Sequence, residues 1–268
     1  MDPRAVLGAY DEQIRRRPAP DLPGGKVERD RGVVRCISGP DAWNGVTWSA
    51  LGDADVDAVI AAQIDAFAGI AEGWEWKHYS HDQPPDLPDR LVRAGFVRRE
   101  TEALLVADLA EATLDASPPA DVHLRAVIDA SGVDALVSVH EEVFGEDHSA
   151  LGRVLLDALQ RRPSPLAAVV AVAGDTPIAA GRVEFHAGTE FASLWGGGTV
   201  AAWRGRGVFR ALVAHRAGLA AERGCRYLQV DALPASRPIL KRLGFVELAT
   251  TTPFEFTSPS DGVARDAS

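Results

Sequence analysis

The sequence predicts an α/β (α+β) chain of two lobes, and three observations lead to that class. The order strand, long helix, strand, short helix, Gly-Phe, strand runs through residues 45–107 and returns in residues 191–256. Arg-Ala-Gly-Phe at 93–96 and Arg-Leu-Gly-Phe at 242–245 mark the same point in both runs. Between them, residues 112–121 (ATLDASPPAD) have the composition of a linker. Two lobes at 1–111 and 122–257 follow. Chance recurrence of common α/β elements is the alternative to a repeated unit.

Taken in order, residues 6–17 read as a helix stopped by Pro18 and the proline-rich run behind it. Residues 33–37 and 45–51 read as strands, with Gly39, Pro40 and Asn44 between them. Residues 53–71 form a helix whose apolar stripe is Val56, Val59, Ile60, Ile64 and Phe67. Trp74 and Trp76 share one face of a strand at 74–79 and should fill the first half's core. A helix at 87–94, closed by Gly95, leads to a strand at 102–107.

The second half begins with a strand at 122–126, helices at 131–144 and 149–160, and strands at 166–173, 178–186 and 191–200. A helix at 208–223, a strand at 227–232, a helix at 236–243 and a strand at 254–256 complete it. Residues 258–268 are small and polar, as in a disordered tail.

Composition narrows the function. At 268 residues and 46% hydrophobic content the chain can bury a large core. A formal charge of −10 argues against a general nucleic-acid surface. Cys36 and Cys225 cannot define a disulfide framework, and residues 1–17 are charged rather than signal-like. No apolar run approaches the ~20 residues of a membrane span. A cytoplasmic protein without membrane attachment is expected, and a homodimer is compatible with the sequence.

Residues 195–210 (WGGGTVAAWRGRGVFR) carry the strongest functional signal. A strand enters a loop with Gly205 and Gly207, and a helix pattern starts at Val208. Glycines let backbone N–H groups turn inward and let a phosphate approach. The helix start adds unpaired donors and the positive end of its dipole, and Arg204, Arg206 and Arg210 add three permanent cations. Together these describe a diphosphate cradle. The plain rival is an arginine-rich turn on a solvated helix end.

The stretch is not a P-loop, for no Gly-x-x-x-x-Gly-Lys-Ser/Thr run exists, and Arg210 holds the third glycine's place of a dinucleotide fingerprint. In the first half, the matching helix opens with Asp53, Asp55 and Asp57, which would repel a diphosphate. Only the second half is expected to bind one.

Arg204 to Phe209 match Arg-x-x-Gly-x-Gly/Ala except at the last place, and Leu243, Gly244 and Phe245 close the short helix. With these residues the chain from 122 to 257 resembles the GNAT superfamily of acyl-CoA-dependent N-acyltransferases. The resemblance implies two GNAT-like lobes with mixed, largely antiparallel sheets, the first one degenerate. It implies an N-acetyltransferase moving an acetyl group from acetyl-CoA to a primary amine of a small molecule or peptide. Backbone groups of Gly198, Thr199 and Val200 would pair with the pantetheine arm as an extra strand does. The diphosphate would lie on Arg204, Gly205, Arg206, Gly207, Val208, Phe209 and Arg210, and the helix from Ser236 to Lys241 would flank the arm.

Leu240 stands where the family often has a Tyr as general acid, and Leu233 where it often has Asn. Protonation of the leaving thiolate then falls to water, Ser236 or another side chain. The missing Tyr keeps a non-catalytic acyl-CoA-binding or sensory module as an alternative, with a longer acyl-CoA donor as another.

Transfer to an amine needs a base. Glu184 is the first candidate, sharing a strand face with Arg182 and His186; its rival is a solvated strand carboxylate. Asp231, on the strand the family places beside the thioester, is the second. Residues 140–144 (HEEVF) fail the His-Glu-x-x-His zinc pattern at Phe144. His78, His81 and Asp82 lack further ligands nearby, so no metal is expected.

Overall fold

The computed structural model describes residues 1–257 except 41, 53–54, 71–72 and 146. The tail expected at 258–268 and the carboxylate of Asp53 lie outside the described residues. The first lobe runs α1 (Pro3–Tyr10), a π-helical turn (Asp11–Arg15), β1 (Lys26–Asp30), β2 (Val33–Ile37), β3 (Asn44–Ser49) and α2 (Val56–Phe67), then β4 (Gly73–Tyr79), α3 (Leu87–Arg93), β5 (Val97–Arg98) and β6 (Glu102–Asp108). No helix or strand interrupts the segment from there to β7 (Val122–Val127). The second lobe continues with α4 (Ala130–Phe144), α5 (Ser149–Gln160), β8 (Leu166–Ala173), β9 (Thr176–Phe185) and β10 (Phe191–Thr199). A 3-10 turn (Ala201–Trp203), α6 (Val208–Glu222), β11 (Tyr227–Ala232), α7 (Arg237–Arg242) and β12 (Val246–Thr257) end it.

Three expectations change. Residues 6–17 are not one helix: the α-helix gives way at Asp11 to a wider turn whose Arg15 is buried against Asp82. Strand β1 was not foreseen, because its KVERD sequence has no apolar alternation. The last strand starts at Val246 rather than 254.

All strands form one twelve-stranded sheet in the order β1-β2-β3-β4-β12-β6-β11-β10-β9-β8-β7, with β5 beside β12. The repeat is visible in its parallel pairs. β3 and β4 are parallel and joined through α2, and β10 and β11 are parallel and joined through α6. Both short helices close alike: Phe96 N–H donates to Leu91 O at 3.1 Å and Phe245 N–H to Leu240 O at 3.2 Å. Gly95 and Gly244 sit at φ 101° and 92°, the left-handed conformation this cap needs.

The strands after these caps are exchanged. β6, from the first half, lies against β11 of the second, while β12 crosses over to β4, and β6 and β12 pair with each other. Mixed pairing, mostly antiparallel, is the GNAT-like pattern expected. Two apolar clusters flank the exchange: Trp74, Trp76 and Phe67 with α2 and α3, completed by Phe254 of β12, and Val169, Leu136 and Leu212 with α4, α5 and α6. A third joins them, with Leu105 and Ala107 of β6 against Val213 and Leu240. Among the described residues no helix is long and apolar enough to cross a membrane.

Candidate active site

Helix α6 has no side-chain cap at its start. Its N-cap is Gly207 at φ 89°, preceded by Gly205 at φ 76°, both left-handed, where a side chain would be strained. Nothing lies within 4 Å of the place a Gly205 Cβ would take, so that glycine serves conformation and leaves the loop open. Arg204 donates from Nε to Thr199 O at 3.0 Å, and Arg206 stacks over Trp203 at 4.7 Å. Arg204, Arg206 and Arg210 are exposed, and none has a carboxylate partner among the described residues. An open helix N-terminus ringed by three cations without carboxylate partners produces a positive field that favours an anion. Helix α2 makes the contrast: Asp55 caps it, accepting from Ala58 N–H at 3.2 Å, and Asp57 pairs with Arg90 at 3.0 Å.

Phe209 does not obstruct the loop. Its ring is half-buried under β10, close enough that a Cβ on Gly197 would lie 3.2 Å from it. Val208 is core.

Beside this loop the sheet divides. β10 and β11 pair only from Phe191–Ser193 to Tyr227–Gln229; beyond that they diverge. Strand β10 keeps its other edge on β9, where Gly198 faces Ala180 and Thr199 faces Ala179, and Val200 N–H donates to Ile178 O at 2.9 Å. The edge of residues 194–199 toward β11 is therefore unpaired by strand, and an extended chain can add there. Thr199 Oγ1 is buried without a partner.

The same strand bulges between Trp195 and Gly198, with Gly196 at φ 57°. Three consecutive glycines are each required by a different neighbour. A Cβ on Gly196 would meet His140 Cε1 at 2.4 Å, one on Gly197 would meet Arg216 Nη2 at 3.2 Å, and one on Gly198 would meet Val143 Cγ1 at 2.9 Å. His140 donates from Nε2 to Gly196 O at 2.7 Å; burial pushes its pKa down to about 4, so it is neutral and holds the bulge as a donor. On the other face, Arg216 is buried and donates to Leu212 O at 3.0 Å, Arg182 O at 3.1 Å and Trp195 O at 3.4 Å. Burial, with Arg182 adding to it, lowers its pKa to about 9, which leaves it cationic at neutral pH.

The face that carries His140 also carries charge from both halves. Glu184, opposite Ser193 where β10 and β11 part, is paired with Arg182 at 2.6 Å. Asp231 is paired with Lys77 of β4 at 2.5 Å and accepts from Gln229 Nε2 at 3.0 Å. Lys77 is half-buried, and burial opposes its charge, yet its pKa is raised, because Asp231 and then Glu75 outweigh that penalty. Glu75 accepts from Trp43 Nε1 at 3.0 Å, leaves its other oxygen buried without a partner, and is raised chiefly by burial.

Ser236 sits at the start of α7 and donates to Leu233 O at 3.2 Å. Lys241 pairs with Glu247 at 3.4 Å, and Leu240 is core. Thus the structure brings Asp231 and Glu184 onto one face, and Gly198, Thr199 and Val200 lead from the end of β10 into the turn before the loop of residues 204–210. Asp82 is taken by Arg15 at 2.7 Å, and His81 lies 2.9 Å from Asp11.

Sequence reasoning missed Lys77, Glu75, Glu102, His140 and Arg216. For the first two the signal was present: between Trp74 and Trp76, period 2 puts Glu75, Lys77 and Tyr79 on the opposite face. That this face looks into the second lobe follows from the strand exchange, which no local pattern encodes.

Residues 133–245 match the model of the acetyltransferase (GNAT) family. The chain is similar to a GCN5-related N-acetyltransferase from Kribbella flavida, with TM-score 0.66 and 19% identity over 96% of this chain and 95% of that one. A GCN5-related N-acetyltransferase from Sphaerobacter thermophilus superposes with TM-score 0.59 and 14% identity over 87% and 76%. A tandem GNAT protein from the clavulanic acid biosynthesis pathway does so with TM-score 0.58 and 15% identity over 97% and 95%. No curated protein matches the sequence. These likenesses establish the fold over both halves, while the family match falls in the second.

Proposed function

We propose that the protein, whose residues 133–245 match the acetyltransferase (GNAT) family, transfers an acetyl group from acetyl-CoA to a primary amine of a small molecule or peptide, by direct attack in a ternary complex. The observation that carries this is the uncapped start of α6, with left-handed Gly205 and Gly207 and three unpaired arginines, opening onto the divergence of β10 from β11. In this reading the amides of Gly205 to Phe209 and the guanidinium groups of Arg204, Arg206 and Arg210 hold the diphosphate. The free edge at Gly198, Thr199 and Val200 takes the pantetheine arm, with Lys241 and its helix alongside. The amine enters on the face of Glu184 and Asp231, and Ser236 or water protonates the thiolate.

Gly207→Asp puts a side chain at φ 89° and a negative charge in the cradle, so acetyl-CoA binding should be abolished. Unchanged affinity by calorimetry would refute the assignment. One observation favours a binding module without turnover: Leu240 is buried core where the family often has its acid. Thiol release from acetyl-CoA with a panel of primary amines separates the two, and the same assay with succinyl-CoA tests a longer donor.

A further inference from the structure

Which carboxylate takes the acceptor's proton is a question that rests on the acyl-transfer reading. Sheet register lays Glu75 and Lys77 of β4, Glu102 of β6 and Asp231 of β11 on one face: Asp231 is opposite Leu104, and Thr251 is opposite both Glu102 and Tyr79. Two of the carboxylates nearest the divergence are engaged, Asp231 by Lys77 at 2.5 Å and Glu184 by Arg182 at 2.6 Å. Glu75 is held by Trp43 at 3.0 Å.

Glu102 differs from all three. No ion pair or hydrogen bond engages its carboxylate among the described residues, and it is half-buried rather than sealed. Its neighbour Ala103 pairs with Ala232, the last residue of β11, so Glu102 stands at the end of that strand where β10 has turned away.

We infer that Glu102, supplied by the first half, is the catalytic base of the site in the second. The acceptor ammonium gives one proton to the Glu102 carboxylate. The neutral nitrogen attacks the thioester carbonyl carbon; the N–C bond forms, and the C–S bond breaks with its electron pair leaving on sulfur. The surplus proton on nitrogen passes, by way of Ser236 or water, to that thiolate, and Glu102 returns its own to solvent.

The surroundings suit the task. Burial pushes the Glu102 carboxyl up to about 7; the Lys77 charge opposes this, and Asp231, Glu75 and Glu100 add to it. These are the charged groups facing it from β4, β11 and the segment before β6, while β12 sets uncharged Thr251 beside it. A base half-ionised near neutral pH balances availability against proton affinity. Because the folded-state value is raised, the associated stability is complete below the ordinary carboxylate range and is lost as pH rises through about 7.

The test compares the full chain with Glu102→Gln and Glu102→Asp. In a carbon-13 NMR titration of labelled glutamate carboxyls, one resonance should have its midpoint near 7 and be missing from Glu102→Gln; a Glu102 midpoint below about 5 overturns the inference whatever the acceptor. Calorimetry should give all three proteins the same acetyl-CoA affinity. Thiol release with the amine panel should fall about 100-fold in Glu102→Gln and lose its rise through pH 7. Glu102→Asp should keep the rise at a reduced rate. Turnover of Glu102→Gln at the unaltered rate overturns the role. If the unaltered chain fails to bind acetyl-CoA, the acyl-transfer reading fails with it, and calorimetry tells that failure apart from this one.

Discussion

At Gly196, Gly197 and Gly198 three side chains from two helices press on one strand, and the absence of Cβ atoms is what lets them approach. The run was legible as a glycine cluster, but its reason was not, because His140, Val143 and Arg216 lie far away in sequence. Phe209 shows the same limit. It departs from the small residue the family prefers, and Gly197 makes the space that its ring occupies. Gly196→Ala combines a left-handed φ of 57° with a contact at 2.4 Å. It should cost about 2–4 kcal/mol in urea unfolding. Adding His140→Ala should return the clash portion and leave the backbone portion. Strict additivity of the two substitutions would show that His140 is not the obstacle.

Among elements, the starts of α2 and α6 have opposite chemistry. Asp55 satisfies the first, and the second is left open among cations. This difference was readable from sequence, since aspartates against glycines and arginines is a local distinction. Charge-assisted bonds to phosphate contribute roughly 1.5–3 kcal/mol each, so Arg210→Ala should weaken acetyl-CoA binding about tenfold or more and flatten its salt dependence. Equal Kd values at low and high salt in both proteins would contradict the electrostatic role.

Strand β12 was not readable in the same way. Its early part is threonine-rich, with Thr251 and Thr252 buried, and Pro253 interrupts it, a residue that normally argues against an interior strand. Pro253 is accommodated because it faces Lys77 on β4 while its carbonyl accepts from Arg99 N–H at 2.9 Å.

For the molecule as a whole, the order of elements disclosed a tandem, and the two Gly-Phe caps mark the same point in both runs. The exchange of β6 and β12 was invisible, because pairing partners across a sheet leave no periodic trace in either strand. It has a thermodynamic consequence. Residues 1–111 expressed alone would lack β12 beside β4 and leave β6 without β11, and residues 112–257 would lack β6. Each half should be poorly soluble or unfolded by circular dichroism, and co-expression should recover a one-to-one complex. A half that unfolds cooperatively by itself would contradict this. Glu75, Lys77 and Glu102 come onto the face of Asp231 by the same route, which is why inspection of the second half alone could not find them.

The crossing of β6 makes the two genetic halves mechanically one. Damage to the aromatic heart of the first lobe, at Trp76 for instance, would be felt in the second, because Trp76 faces Phe254 of β12 and β12 in turn pairs with β6. Inheritance of the two units is then linked: a lineage that discarded the first repeat would also discard a rib of the second one's sheet.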